Sequence, residues 1–253
     1  MIPLHDSIPT ARRPVVVITL IAVNVAVFLL ELTAPTRLMP TTDGNAYRVQ
    51  GQTAITAEYG FVPCEVGHRC PFGNDRIDLG ASAPFEVPHA PLLVNVFTSM
   101  FLHGGWAHLL FYMLFLWIFG NNVEDRLGRL RFLAFYLLGG VAALLLQLIA
   151  APSSDLPTIG ASGAIAAVLG GYLVLFPRAV VITLVGWIPL PLPAVLFLLI
   201  WIALQALGAA AGLSIVGGGS DNVAYFAHLG GFLFGLATVR WFATARRRGH
   251  IRV

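Results

Sequence analysis

Three short segments place a side chain capable of acid–base or nucleophilic chemistry beside glycine in apolar surroundings. They are His103-Gly104-Gly105-Trp106-Ala107-His108, Gly160-Ala161-Ser162-Gly163 and Ala227-His228-Leu229-Gly230-Gly231. A serine hydroxyl is a poor nucleophile until an adjacent base takes its proton, and histidine is the side chain whose pKa suits that task near neutral pH. Ser162 is therefore the candidate nucleophile and His228 the candidate base. His108 adds a side-chain donor for a developing oxyanion. Tyr112 lies four residues further on, hence on the same helical face, and is either another donor or a core aromatic. The plainer alternative is that the glycines only pack helices and that Ser162 is a helix cap.

The elements that must position these groups are membrane helices. Of 253 residues, 57% are apolar and 11% charged, with 26 Gly and 16 Pro, whereas ordinary soluble domains carry roughly 25% charged residues. Mean hydropathy is +0.81. A soluble enzyme and a disordered chain are both excluded. The net charge of +3 comes from fifteen basic residues, all arginine. They flank apolar runs instead of clustering on one face, so nucleic acid is not an expected partner. The scarcity of charge points to an all-α polytopic protein with the lipid bilayer as its surroundings.

A span needs about 20 apolar residues, and six segments qualify: 14–31, 104–120, 132–151, 162–176, 193–212 and 223–243. The first run is longer than a signal-peptide core of roughly 7–15 residues, so it reads as an uncleaved span. Arg12 and Arg13, then Arg126, Arg129 and Arg131, then Arg178, then Arg246, Arg247, Arg248 and Arg252 all fall in segments on one side. The loops around Pro152–Ile159 and Leu213–Asn222 hold Asp155 and Asp221 and no arginine. The positive-inside rule then makes both termini cytoplasmic. The expected organisation is a cytoplasmic segment 1–13, a six-helix membrane domain 14–243 with a long external first loop 33–101, and a basic cytoplasmic tail 244–253.

Span four is short, so Ser162 should start below the external surface, with His228 at a similar depth on span six. Gly163, Ala167 and Gly171 recur every four residues on one span, and Ala227, Gly231 and Gly235 on the other. Such small faces let helices approach closely in lipid and would bring serine to histidine. The spans read as free of buried Asp, Glu, Lys and Arg, so the expectation is a Ser-His dyad without a carboxylate behind the base. Asp155 and Asp221 would serve only if their loops folded inward. The backbone N–H of Ser162 at a helix N-terminus would be an oxyanion donor. Phe197 and Trp201, four apart on span five, read as lipid-facing, with a gate as the alternative. In the first loop, Cys64 and Cys70 form a local disulfide or, with His68, part of a zinc site.

Gly160-Ala161-Ser162-Gly163, Ala227-His228 with Gly231 and Gly235, the pair His103 and His108, and Gly120 to Gly128 around Glu124 together resemble the rhomboid family of intramembrane serine proteases. The resemblance covers nearly the whole chain. It implies a six-helix bundle opening to the external side, and peptide-bond hydrolysis through an acyl-enzyme on Ser162 with His228 as base and then acid. It also implies an oxyanion and substrate site with His108, His103, Gly160 and the Ser162 N–H. The substrates would be single-span transmembrane proteins entering near spans two and five. No metal and no cofactor are implied, and the expected location is a bacterial plasma membrane. Three positions depart from the family pattern: Tyr112 stands where Asn is usual, Val94-Asn95 where Trp-Arg often occurs, and Ala166 where some members carry an aromatic. A catalytically silent binder of transmembrane helices is the rival reading, and a small transporter using Asn24, Gln147 and Gln205 a third.

Overall fold

A computed structural model describes residues 1–71, 76–78, 83–88, 90–211 and 223–243. The expected loop with Asp221 and the tail with Arg246, Arg247, Arg248 and Arg252 lie outside these residues.

The six apolar segments are helical. Helix α1 is Val15–Thr33. In the first loop follow α2 (Gly51–Tyr59), α3 (Pro63–Val66) and α4 (Leu92–Thr98). Next, α5 (Trp106–Phe115) continues through a π-helical turn, Leu116–Gly120, into α6 (Asn121–Leu127). The remaining helices are α7 (Arg129–Ala150), α8 (Ser162–Leu175), α9 (Ala194–Ala210) and α10 (Tyr225–Phe242). By length and composition Val15–Thr33, Trp106–Leu127 and Arg129–Ala150 are long and apolar enough to cross a bilayer, and Ser162–Leu175 and Ala194–Ala210 are shorter apolar helices. The chain is a mostly helical, polytopic membrane protein.

Helix α8 is the axis of the bundle: every residue from Ser162 to Tyr172 is buried. The small-residue faces explain how it is enclosed. A Cβ on Gly231 would lie 2.0 Å from the Gly163 carbonyl oxygen, and one on Gly235 2.0 Å from that of Ala167. The backbones of α8 and α10 are therefore in contact, which only glycine permits. Around them pack Phe115, Phe119, Phe135, Phe197 and Phe232 in one continuous core.

Two features differ from the sequence reading. The second helical segment does not end near residue 120 but runs to Leu127, where Gly128 at φ +82 stops it. Hydropathy falls at Asn121-Asn122, yet the polar residues there are used inside the bundle. Both oxygens of Glu124 accept backbone hydrogen bonds from the first turn of α1, from Val16 at 3.0 Å and Val17 at 2.8 Å. Those N–H groups have no intrahelical acceptor, so Glu124 caps α1 from a neighbouring helix.

The all-α expectation also needs correction, because strands occur at both ends of the bundle. At one end β1 (Ile2–Asp6), β6 (Val180–Val185) and β7 (Ile188–Pro193) form an antiparallel sheet in the order β1-β6-β7. Pro189, Pro191 and Pro193 lack N–H donors, which suits β7 to the sheet edge. Asp6 leaves this sheet to accept hydrogen bonds from Asn122 Nδ2 at 2.6 Å and the Tyr172 hydroxyl at 2.5 Å. Burial pushes its carboxyl above the usual range, against the lowering effect of these donors.

At the other end the first loop is a small folded unit. It holds the hairpin β2 (Arg37–Pro40) with β3 (Ala46–Val49), and β4 (Arg76–Ile77) paired with β5 (Phe85–Glu86). Met39, Val49, Ala54, Ala57, Ile77 and Phe85 are in its core, and Cys64 and Cys70 are joined as a disulfide. Phe61 pairs with Thr158 and the Cys64 N–H donates to the Ser154 carbonyl at 3.0 Å, so the unit docks on the α7–α8 connection.

Candidate active site

Ser162 is the first helical residue of α8, the residue before it is Ala161, and no side chain caps this helix. Ser162 is thus not the helix cap of the plainer reading. Its hydroxyl is free for other partners, and the first N–H groups of α8 have no acceptor within the helix. The turn leading into it depends on Gly160, at φ +113, whose N–H donates to the Ser99 carbonyl at 2.7 Å. A Cβ there would sit 2.7 Å from His108 Nε2 and 3.6 Å from Ser162 Oγ. The missing side chain of Gly160 is what lets the His108 imidazole edge stand beside the serine.

His228 lies in the first turn of α10 and is 2% exposed; Ser162 is 6% exposed. The Nδ1 of His228 is 2.8 Å from Gln205 Oε1 on α9. An amide oxygen only accepts, so Nδ1 carries the proton and Nε2 presents its lone pair. That lone pair faces the Tyr112 hydroxyl at 3.3 Å. Tyr112 is also near enough to Ser162 to interact with it, and among the described residues Ser162 makes no side-chain hydrogen bond to Tyr112 or His228. The phenol donates to His228, and its oxygen remains open to accept from Ser162. Trp201 and Tyr112 flank the imidazole, with ring centroids 5.8 and 5.9 Å away.

His103 is buried one layer back. Its Nδ1 donates to the Phe101 carbonyl at 3.1 Å, and its ring packs edge-on against His108 at 5.2 Å. It supports His108 from behind and, among the described residues, makes no hydrogen bond to Ser162.

Tyr112 satisfies both alternatives, its ring packed against the core and its hydroxyl facing His228. Two corrections follow. Trp201 and Phe197 face inward and not lipid: Trp201 packs on His228 and Phe232, and Phe197 on Phe115 and Phe119. The spans do contain a buried carboxylate. Glu31, in the last turn of α1, is 1% exposed, and its Oε2 accepts the His103 N–H at 3.3 Å. Glu31 sits where an apolar run ends, a position that reads as surface when only the run is considered. Gln205 was legible as a polar residue within a span, but nothing in its neighbourhood pairs it with His228. Among the described residues no group of three His, Cys, Asp or Glu side chains could hold a metal ion.

The arrangement sets a buried serine near a phenol that is hydrogen-bonded to an imidazole held in one tautomer. A family model described as Rhomboid domain matches residues 91–244, more than half of the chain. "Rhomboid protein 1, mitochondrial" of Saccharomyces cerevisiae is 35% identical over 149 residues, covering 56% of this chain and 40% of the relative. "Rhomboid-like protease 5" of Toxoplasma gondii is 35% identical over 174 residues, covering 66% and 19%. "Rhomboid protease GluP" of Bacillus subtilis is 40% identical over 79 residues, covering 31% and 15%. The chain thus spans less than half the length of each of these relatives.

Proposed function

The chain belongs to the rhomboid family, and on that premise we propose that it is an intramembrane serine endopeptidase that hydrolyses peptide bonds of transmembrane proteins. The single observation that carries this reading is the hydrogen-bonded row Tyr112–His228–Gln205, which leaves the His228 Nε2 lone pair available at the buried site where Ser162 opens α8. Ser162 Oγ attacks the scissile carbonyl. Its proton passes to His228 Nε2, either directly after Tyr112 swings aside or through the phenol, which gives its own proton to Nε2 as it accepts the serine's. Gln205 holds the proton on Nδ1 and stabilises the imidazolium without bringing a second charge into the membrane. His228 then protonates the departing amine, and water resolves the acyl-enzyme by the same steps in reverse.

The negative charge of the tetrahedral intermediate falls near the N-terminus of α8, where the Ser162 N–H and the helix dipole favour it. His108 completes this pocket beside Gly160 when its Nε2 carries a proton. The finer architecture belongs to the same reading: six membrane helices, both termini cytoplasmic, and the site opening toward the side of the long first loop. The arginine positions support that orientation, with a bacterial plasma membrane as the setting and single-span proteins as substrates.

The test is reconstitution of the purified protein in liposomes with a labelled single-span substrate. Cleavage that disappears in Ser162→Ala and His228→Ala supports the mechanism, and cleavage that survives Ser162→Ala removes it. The lack of a direct Ser162–His228 hydrogen bond favours one rival, a helix-binding protein without activity. That reading predicts substrate co-purification with no cleavage by the wild type.

A further inference from the structure

We propose that Glu31 and Gln52 are positioning residues that clamp the backbone of His103 and thereby hold His108 in place beside Ser162. The proposal rests on the protease reading above for its kinetic consequence, but not for its structural one.

A carboxylate in a membrane helix is costly and calls for an explanation. The mechanism does not use Glu31. What Glu31 touches is the stretch that leads into α5. His103 lies between the 3-10 turn Ser99–Phe101 and the start of α5 at Trp106, outside any helix or strand. Both of its backbone polar groups are taken by side chains from other elements. Glu31 Oε2 on α1 accepts the N–H at 3.3 Å, and Gln52 Nε2 on α2 donates to the C=O at 2.8 Å. Gln52 and Glu31 thus hold the two backbone polar groups of one residue between them.

The clamp matters because it fixes the backbone just ahead of two consecutive glycines. A Cβ on Gly105 would meet no atom within 4 Å, and one on Gly104 would make only ordinary contacts. Crowding does not require glycine at either position, and the pair adds backbone freedom just ahead of α5. His108 is the third residue of α5 and has its imidazole edge against the space left by Gly160. A shift of His103 is therefore passed to the group that faces the reacting carbonyl, where an error of about 1 Å can cost on the order of 100-fold in rate. The Gln52 bond also couples the first-loop unit, through α2, to the site.

The geometry distinguishes an acceptor from a charge. Only Oε2 of Glu31 is engaged by His103, while Oε1 has no hydrogen-bond partner. An amide in the same place still offers one accepting oxygen, so Glu31→Gln should preserve the clamp and Glu31→Ala should not.

The full-length protein in liposomes is tested in two arms. In the kinetic arm, with active sites titrated by a fluorophosphonate, Glu31→Ala lowers kcat about 10- to 100-fold with KM little changed. Glu31→Gln stays within about threefold of wild type, a margin small against the effect of misplacing the site. In the exchange arm, the backbone amides of residues 103–105 exchange faster in Glu31→Ala and Gln52→Ala, and at the wild-type rate in Glu31→Gln. Wild-type exchange in both alanine variants overturns the clamp, as does a Glu31→Gln variant as impaired as Glu31→Ala. If Glu31→Ala fails to fold, Gln52→Ala decides by the same criteria. If the wild type has no Ser162-dependent cleavage, the protease reading falls while the exchange arm still decides the clamp.

Discussion

Helix α1 meets a buried carboxylate at each of its ends, and the two are treated differently. At its start, Glu124 reaches across from α6 and gives one oxygen each to the N–H groups of Val16 and Val17. Close by, Asp6 accepts from both Asn122 and Tyr172. At the finish of α1, Glu31 engages His103 through one oxygen, and its other oxygen, His103 Nε2 and His108 Nε2 are buried without a hydrogen-bond partner. The carboxylates at the first end each accept two hydrogen bonds from neighbouring elements and make a joint between the N-terminal strand, α1, α6 and α8. The second end keeps unused hydrogen-bonding capacity next to Ser162, which is where a peptide carbonyl and a water would have to be received. The two ends thus differ in what their carboxylates engage: several donors from neighbouring elements at the first, a single backbone N–H at the second.

The sharpest way to break this contrast is at Ser162. Ser162→Ala should lower substrate cleavage by about 10⁴-fold or more, as loss of a nucleophile does in other serine enzymes, while the unfolding temperature in detergent stays within a few degrees. Tyr112→Phe comes next. Removing the hydroxyl should reduce kcat about 100-fold if the phenol carries the proton, the low end of a general acid–base contribution; an unchanged kcat would reduce Tyr112 to a packing role. At the opposite end the signs reverse. Glu124→Gln should cost about 1–2 kcal/mol of stability, the scale of a lost helix cap, with kcat per titrated active site unchanged. A fall in kcat there without a loss of stability would erase the division between the two ends.

The smallest effect is expected at Asp6. Burial raises its carboxyl pKa in the folded protein, so the proton is held more tightly folded than unfolded. Its contribution to stability is therefore full below the unfolded carboxylate range and is lost as pH rises through the folded value. Thermal unfolding of wild type against Asp6→Asn should show the wild type losing ground as pH increases from acid toward neutral. A difference that does not change with pH would mean that Asp6 binds its proton equally well folded and unfolded.

Much of the helical frame was legible because apolar run length and glycine spacing are local properties. The close contact of α8 with α10 could be read from Gly163, Ala167, Gly231 and Gly235 before any coordinates. The strands were not legible: Val180–Val185 follows the end of a helix and reads as a connection, and its pairing with Ile2–Asp6 joins segments far apart in the chain. Glu31 was missed for a different reason. A single carboxylate at the end of a hydrophobic run looks like an approach to the surface, and only the docking of the first-loop unit over it makes the position interior. Trp201 shows the same limit, since a bulky apolar residue on a membrane helix carries no sign of which side it faces.

The sequence alone determined that this protein lives in a membrane and which residue types are available for chemistry there. Those conclusions rest on composition, arginine placement and short-range periodicity, each confined to a few turns of one helix. The tertiary structure decided which polar groups meet. Tyr112 lies 116 residues from His228, and Glu31 72 residues from His103. Periodicity assigns a residue to a face of its own helix but leaves open the rotation and depth of that helix against its neighbours. Those two quantities are set by the packing of the whole bundle, and they alone put a phenol against the histidine and a carboxylate beneath the loop that leads to His108.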